Sequence, residues 1–476
     1  MRKQALSVAL VLTGLATSAS GDFGSVPILL APTDGIAGQR VGESVDLFDG
    51  RGVVGVTADS EVCVDATLCG FSGAAYVFNV YDQTQVNRLT PVAPTLADEF
   101  GATVVIDDSL IAVGSPGHSN TIERAGTVFL YDSETLEFTR SLVPEDGAYG
   151  DLFGSSIALS EDYVLVGAHE ADPAGDESGT AYLFDRDTGE QLLKLAPEDA
   201  NPGDEFGHSV ALSGGFAVVG AHLHDGNGSS AGKAYVFDVA TGEELFQLEP
   251  NDATASQRFG VTAAVDGRYA AIGAWDDDEE ARDAGAVYVF DLLTGNEIDK
   301  LVADDASEDD GLGLSLDFDD GLIVAGAIIE GSFVAEDDTH AAYVFDFATG
   351  EQVAKLFPPE ADRFQSWSVA IDEVVFAGFF EGSAHGYYPA SLDGDFTNDG
   401  QTDQADYTQW LSDYGVSGLA GSDANGDGAV NAIDYALWRD AASRFSNRVA
   451  VPEPRTLLFA LLVAFMRTIS PPRCIG

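Results

Sequence analysis

Between Asp204 and His222 the chain reads DEFGHSVALSGGFAVVGAH, and between Asp151 and His169 it reads DLFGSSIALSEDYVLVGAH. In both stretches a short alternating apolar segment follows Phe-Gly, a polar turn intervenes, and a second apolar run ends in Val-Gly-Ala. Runs this short, rich in β-branched residues and bounded by turn residues, predict β-strands. A variable polar loop follows, then AYLFD (Tyr182, Phe184) or AYVFD (Tyr235, Phe237), then a D-x-x-T-G-E turn leading to QLLKLAP or ELFQLEP. Thr-Gly steps at 188–189, 241–242, 294–295 and 349–350 read as hairpin turns, because glycine readily takes positive φ. Each unit therefore predicts four short strands.

The unit recurs with a fixed step. Phe-Gly stands at 100–101, 153–154, 206–207 and 259–260, each 53 residues after the last. Leu312-Gly313 and Phe364-Gln365 continue the series, and Val41-Gly42 precedes it. Thirteen residues after each glycine position comes another glycine: Gly55, Gly114, Gly167, Gly220, Gly273, Gly326 and Gly378. A period of this size, with four strands per period, predicts an all-β, seven-bladed β-propeller. The last unit lacks a fourth strand, and the N-terminal SVPILLAPTDG matches the fourth-strand pattern LLKLAPEDA. The N-terminal strand is expected to complete the last blade and close the ring, removing two sheet edges. The phenylalanine is expected to pack between blades, and its glycine to permit close backbone approach.

These repeats, over residues 29–390, resemble the FG-GAP repeat family, whose units also build the propeller of integrin α-subunits. The resemblance implies a binding propeller. It is specific for fold and weak for function. Members of the integrin type often carry a calcium loop with alternating Asp and Asn. The loops here, HEADPAGDESG, HLHDGNGSSAG and WDDDEEARDAG, depart from that register.

Charge narrows the partners. The chain has 476 residues with 79 acidic against 22 basic side chains, a formal net charge of −57. Nucleic acid and anionic lipid need clustered Lys and Arg and are not expected as partners. Such acidity suits a salty or calcium-containing medium that screens self-repulsion. Arg2 and Lys3, an apolar run from Ala5 to Leu15 and the small residues Ser18, Ala19 and Ser20 read as a secretory signal peptide over 1–20. Export makes a disulfide between Cys63 and Cys69 an expectation. Three cysteines and scattered histidines give no zinc signature.

Within the blades no catalytic arrangement stands out. Carboxylates are too numerous for one pair to be singled out, and the glycine-rich turns precede no helix and contain no GKS or GKT. His169, His222 and Trp275 occupy equivalent places after the Gly-Ala step and are expected to form an arc on one face. Beside Asp276, Asp277 and Asp278 they could contact a sugar or a protein loop, although ordinary loop residues would look the same. His222-x-His224 alone supplies too few ligands for a metal.

Composition changes near Tyr388. DFTNDGQTDQAD (395–406) and DANGDGAVNAID (423–434) both follow the twelve-position EF-hand register. In the first, Asp395, Thr397, Asp399, Asp403 and Asp406 offer side-chain oxygens, Gln401 offers its carbonyl, and Gly400 takes the sharp turn. In the second the corresponding residues are Asp423, Asn425, Asp427, Asn431 and Asp434, with the Ala429 carbonyl and Gly428. Two calcium ions are expected. ADYTQWL and IDYALWRD follow as exiting helices, so a small α-helical EF-hand pair is expected over 391–446. Asp at position twelve and the tandem arrangement resemble a dockerin type I module, which implies a cohesin-like partner. Gln404-Ala405 and Ala432-Ile433 stand where cellulosomal dockerins carry Ser-Thr.

The tail, 447–476, has VPEP at 451–454, then RTLLFALLVAFM, Arg467 and Arg473. It resembles a PEP-CTERM sorting signal. That implies transient membrane association through 456–469, a segment short for a permanent span, and cleavage by a sorting peptidase. The propeller is assigned to 21–390. The expectation from all of this is a non-enzymatic, exported adhesion or scaffold protein of a bacterial envelope, cell surface or extracellular matrix, binding protein or glycan. The alternative is a carbohydrate-active enzyme or sugar-binding subunit assembled through the dockerin-like module.

Overall fold

The computed structural model describes residues 28–32, 41–58, 63–65, 68–69, 72–80, 84–95, 97–119, 122–319, 321–329, 339–356, 366–371, 375–379 and 383–387. Among them every regular element is a β-strand. The expected signal peptide, the expected EF-hand pair with its metal ligands, and the expected sorting tail lie outside the described residues.

The fold is an all-β propeller. Six blades are each built from four antiparallel strands of one run of chain, and in the first a separate two-stranded hairpin, Cys63–Asp65 with Leu68–Cys69, comes between the second and third strands. The first comprises Val41–Phe48, Arg51–Val56, Ala74–Asn79 and Thr84–Leu89. The second comprises Thr103–Ile106, Leu110–Ser115, Thr127–Asp132 and Phe138–Leu142. In the third the strands are Ser156–Leu159, Tyr163–Ala168, Thr180–Asp185 and Gln191–Leu195. The fourth has Ser209–Ser213, Phe216–Ala221, Lys233–Asp238 and Glu244–Leu248. The fifth has Ala263–Asp266, Tyr269–Ala274, Ala286–Asp291 and Asn296–Leu301. The sixth has Ser315–Asp319, Leu322–Ile329, Thr339–Asp346 and Gln352–Leu356.

The expected seven-bladed ring is thereby corrected to six blades each drawn from one run of chain and one further four-stranded sheet of different construction, which the N-terminal strand completes as its sequence pattern predicts. That last four-stranded sheet takes Ser366–Ile371, Val375–Phe379 and Ser383–Tyr387 from one end of the propeller and Ile28–Leu30 from the other. Leu29 pairs with His385 and Leu30 with Ala384, antiparallel. The reason is the phase of the repeat: the outermost strand of each blade precedes the next Phe-Gly, so one outer strand is left for the N-terminus to supply. This composite sheet lies between its two neighbours. The Ser368 hydroxyl accepts the Val45 N–H at 3.1 Å, and Asp317 accepts the Ile371 N–H at 2.7 Å.

The core sits between blades. In Lys233–Asp238, Ala234 and Val236 face the fifth blade while Tyr235 and Phe237 face the third, the period-two alternation of a strand buried on both faces. Phe206 is fully buried against Tyr235 and Phe237, ring centroids 5.5 and 5.9 Å away. Burial of one such side chain contributes about 1.5–3 kcal/mol. Backbone joins blades as well, since the Phe206 N–H donates to the Ser178 carbonyl at 3.2 Å.

The first strand of each sheet lines a central channel of about 510 Å³. Hydroxyls tie these strands together: Ser156 Oγ donates to the Gly207 carbonyl, Ser209 Oγ to that of Gly260, and Thr262 Oγ1 to that of Gly313, each at 2.8 Å. On the outer side a second device recurs. Tyr182, Tyr235, Tyr288 and Tyr343 donate to Asp146, Asp199, Asp252 and Asp305, and each of those carboxylates also accepts from a lysine ammonium.

Candidate functional site

Antiparallel order puts the start of each first strand, the end of the second and the start of the third on one face of the ring. The Phe-Gly steps and the variable loops share that face. Neighbouring blades are held in a fixed stagger by the contact of Gly167 with the Gly207 carbonyl. His169, two residues beyond Gly167, therefore meets His208, one residue beyond Gly207. Within the fourth blade, Ser209 pairs with Gly220, which brings His222 beside His208.

The result is an imidazole cluster across a blade boundary. The rings of His169 and His208 are 5.4 Å apart, and those of His208 and His222 are 4.1 Å apart. His169 Nδ1 lies 2.9 Å from Ser155 Oγ. His208 Nδ1 lies 3.2 Å from the Val261 carbonyl, which can only accept, so the proton is on Nδ1 and Nε2 keeps its lone pair. Glu205, at the turn before Phe206, places Oε2 3.8 Å from His222 Nε2. One ligand-capable atom from each of Glu205, His208 and His222 lies within 4.8 Å of the others. His222 is buried, and its Nδ1 has no hydrogen-bond partner among the described residues.

Burial sets the protonation of these groups. It lowers His222 to about 2, with His208, Arg258 and His169 adding to the effect. It lowers His169 to about 4, with a further contribution from His208. His208 is also held down by burial, against the pull of its bond to Val261. Burial raises Glu205, and Glu177 and Glu170 push it the same way.

The expected arc of His169, His222 and Trp275 is realised in part. The two histidines come together, but Trp275 packs elsewhere, with the Arg258 guanidinium 5.2 Å from its ring centroid. Arg258 is the counterpart of Glu205 one repeat later and also reaches Asp276 at 3.0 Å. Asp277 and Asp278 are structural. Asp277 is buried and accepts from Gln257 and Tyr288, each at 2.7 Å, and Asp278 accepts the Asp283 N–H within its own loop. His224 belongs to the third-strand framework, near Asp199 and Asp204.

His208 and Glu205 are the residues that the sequence reading did not single out. The signal was present in EFGH: Glu205 and His208 flank the Phe-Gly step, the fixed point where one blade meets the next. Cys63 and Cys69 are paired in register across a two-stranded hairpin, Cys63–Asp65 with Leu68–Cys69.

The FG-GAP repeat family matches the chain at residues 137–184, 190–237 and 243–290. Each match runs from the last strand of one blade through the third strand of the next, so the repeat straddles the blade boundary on which the cluster sits. No curated protein matches the chain.

Proposed function

We propose that this is an exported binding protein of the cell surface or extracellular matrix, whose propeller offers its Phe-Gly face to a protein or glycan partner. The observation that carries this reading is an invariant frame with variable contents. The loops after Ala168, Ala221 and Ala274 start from equivalent frame positions yet open with His169, His222 and Trp275. The FG-GAP match supports the same class of role. A binding role is favoured over a hydrolytic one because carboxylates that look catalytic by burial hold the frame instead: Asp151 and Asp204 accept the N–H groups of Ala148 and Asn201 at 2.6 Å.

Two calcium ions held by Asp395, Thr397, Asp399, Gln401, Asp403 and Asp406, and by Asp423, Asn425, Asp427, Ala429, Asn431 and Asp434, complete the proposal. The paired loops would dock a cohesin-like partner, and the tail would be processed at the membrane. The twelve-position spacing supports the calcium assignment. Calorimetric titration of the full chain should show two calcium equivalents that vanish when Asp395→Ala and Asp423→Ala are combined.

The face is tested by binding to protein and glycan arrays prepared from cell-surface material. A Trp275→Ala, Arg258→Ala double variant should lose at least tenfold in affinity. Leu293→Ala, in a turn on the opposite face, should not. Equal binding by both variants, or no binding by the wild type, would sink the reading.

A further inference from the structure

We propose that Glu205, His208 and His222 form a site for one divalent transition-metal ion, of which zinc is the best fit, at the boundary between the third and fourth blades. The three ligand atoms lie within 4.8 Å of one another, so a point exists no more than about 2.8 Å from all of them. Zinc needs about 2.0–2.2 Å to imidazole nitrogen and carboxylate oxygen. Closing that difference takes only small side-chain rotations, because Glu205 and His208 are fixed three residues apart by the turn hydrogen bond from the His208 N–H to the Glu205 carbonyl at 3.1 Å.

Two independent features point to an ion and not simply to stacked rings. His208 donates its Nδ1 proton to the Val261 carbonyl and so presents Nε2 as a lone pair. A second hydrogen bond of this kind is what orients metal-bound histidines generally. His222 Nδ1 is buried with no partner among the described residues, a costly arrangement that an ion bound to that nitrogen would relieve. Two imidazoles and one carboxylate form the borderline nitrogen–oxygen set that suits zinc, cobalt, nickel or copper and is poor for calcium, which takes oxygen ligands. With three protein ligands, the fourth position of a tetrahedron is left for water or a partner's side chain. His169 borders the cluster from the third blade, and its Nδ1 is already engaged by Ser155.

The site differs from the calcium loops in place and in ligand type, and it does not depend on what the Phe-Gly face binds. All three ligands come from the fourth blade, on the side that meets the third, so occupancy should also tie the Glu205 turn to the loop that starts at His222.

The test uses the full chain with millimolar calcium and magnesium present, so that hard-oxygen sites are filled. Zinc chloride is titrated by calorimetry, and cobalt chloride by visible absorption for the tetrahedral ligand-field band. One equivalent should bind and raise the unfolding midpoint. His208→Gln, His222→Gln and Glu205→Gln should each weaken binding at least tenfold and lose the band, while His169→Asn should change affinity less than threefold. Far-ultraviolet circular dichroism identifies any variant that has failed to fold. The wild-type titration stands alone in that case: no binding at millimolar zinc, or binding unchanged in the folded variants, overturns the proposal.

Discussion

A Cβ atom placed on Gly220 would lie 2.0 Å from the carbonyl oxygen of Gly260 in the next blade. The two glycines belong to consecutive repeats, and the same approach recurs between Gly167 and Gly207 and between Gly273 and Gly313. The spacing of thirteen residues within a unit thus encodes a contact between units. Gly220→Ala should cost about 3 kcal/mol or more, because backbone and not a flexible side chain must move. Gly203→Ala, at φ 82° with nothing within 4 Å among the described residues, should cost only about 1–2 kcal/mol from backbone strain. Denaturant unfolding of both variants checks the contrast, and equal losses would contradict it.

The tyrosine–aspartate–lysine contacts predict a specific acid sensitivity. Burial raises the Asp199 carboxyl, but hydrogen bonds from Lys233 and Tyr235 outweigh it and hold the group below its ordinary value. Asp146, Asp252 and Asp305 are lowered by the same balance. A lowered carboxylate contributes stability that is present above the unfolded value, near 4, and is lost as pH falls through the folded value. The propeller should lose stability below about pH 4, and Asp199→Asn should flatten part of that fall. At neutral pH Tyr235→Phe should cost about 1.5–3 kcal/mol, the usual effect of removing a donor to a charged group. Urea midpoints between pH 3 and 7 measure both.

Asp276 should behave in the opposite sense. Burial raises it to about 6 despite Arg258, and Asp283 and Asp278 add to the rise. The folded state therefore binds this proton more tightly than the unfolded state. The stability so gained is full below the unfolded value of about 4 and is lost as pH rises through 6. Relative to wild type, Asp276→Asn should gain stability between pH 4.5 and 7.5. Arg258→Met should move the Asp276 titration, followed by carboxyl NMR, to still higher pH. A titration near 4 in the wild type would refute this assignment.

Blade architecture was legible because it is written in local signals. Phe206, Gly207 and Gly220 recur at fixed intervals, and a pair like Tyr235 and Phe237 marks the third strand in five of the first six blades, the second having Phe129 and Tyr131 in reverse order. Phase was legible too, since the LLAP of the N-terminus has a fourth-strand pattern. The candidate site was only half legible. His169 and His222 announce themselves at equivalent positions, but His208 hides just before a strand, Ser209–Ser213, that reads as framework. Their meeting depends on the stagger between blades, a tertiary quantity that no single unit contains. Trp275 shows the converse: the equivalent place one blade later meets Arg258 where the earlier blade offers Glu205, so equivalence of position did not give a common cluster.

Whatever the Phe-Gly face binds, it is a single surface only if the ring is closed, and closure rests on the pairing of Ile28–Leu30 with Ser383–Tyr387. The most direct measurement compares thermal unfolding of the chain lacking residues 1–20 with that of the chain lacking residues 1–30. The shorter chain leaves the composite sheet with an open edge and should unfold at least about 5 °C lower, with earlier exchange of amides in Val375–Phe379 and Ser383–Tyr387. Identical midpoints and identical exchange would contradict closure by the N-terminal strand.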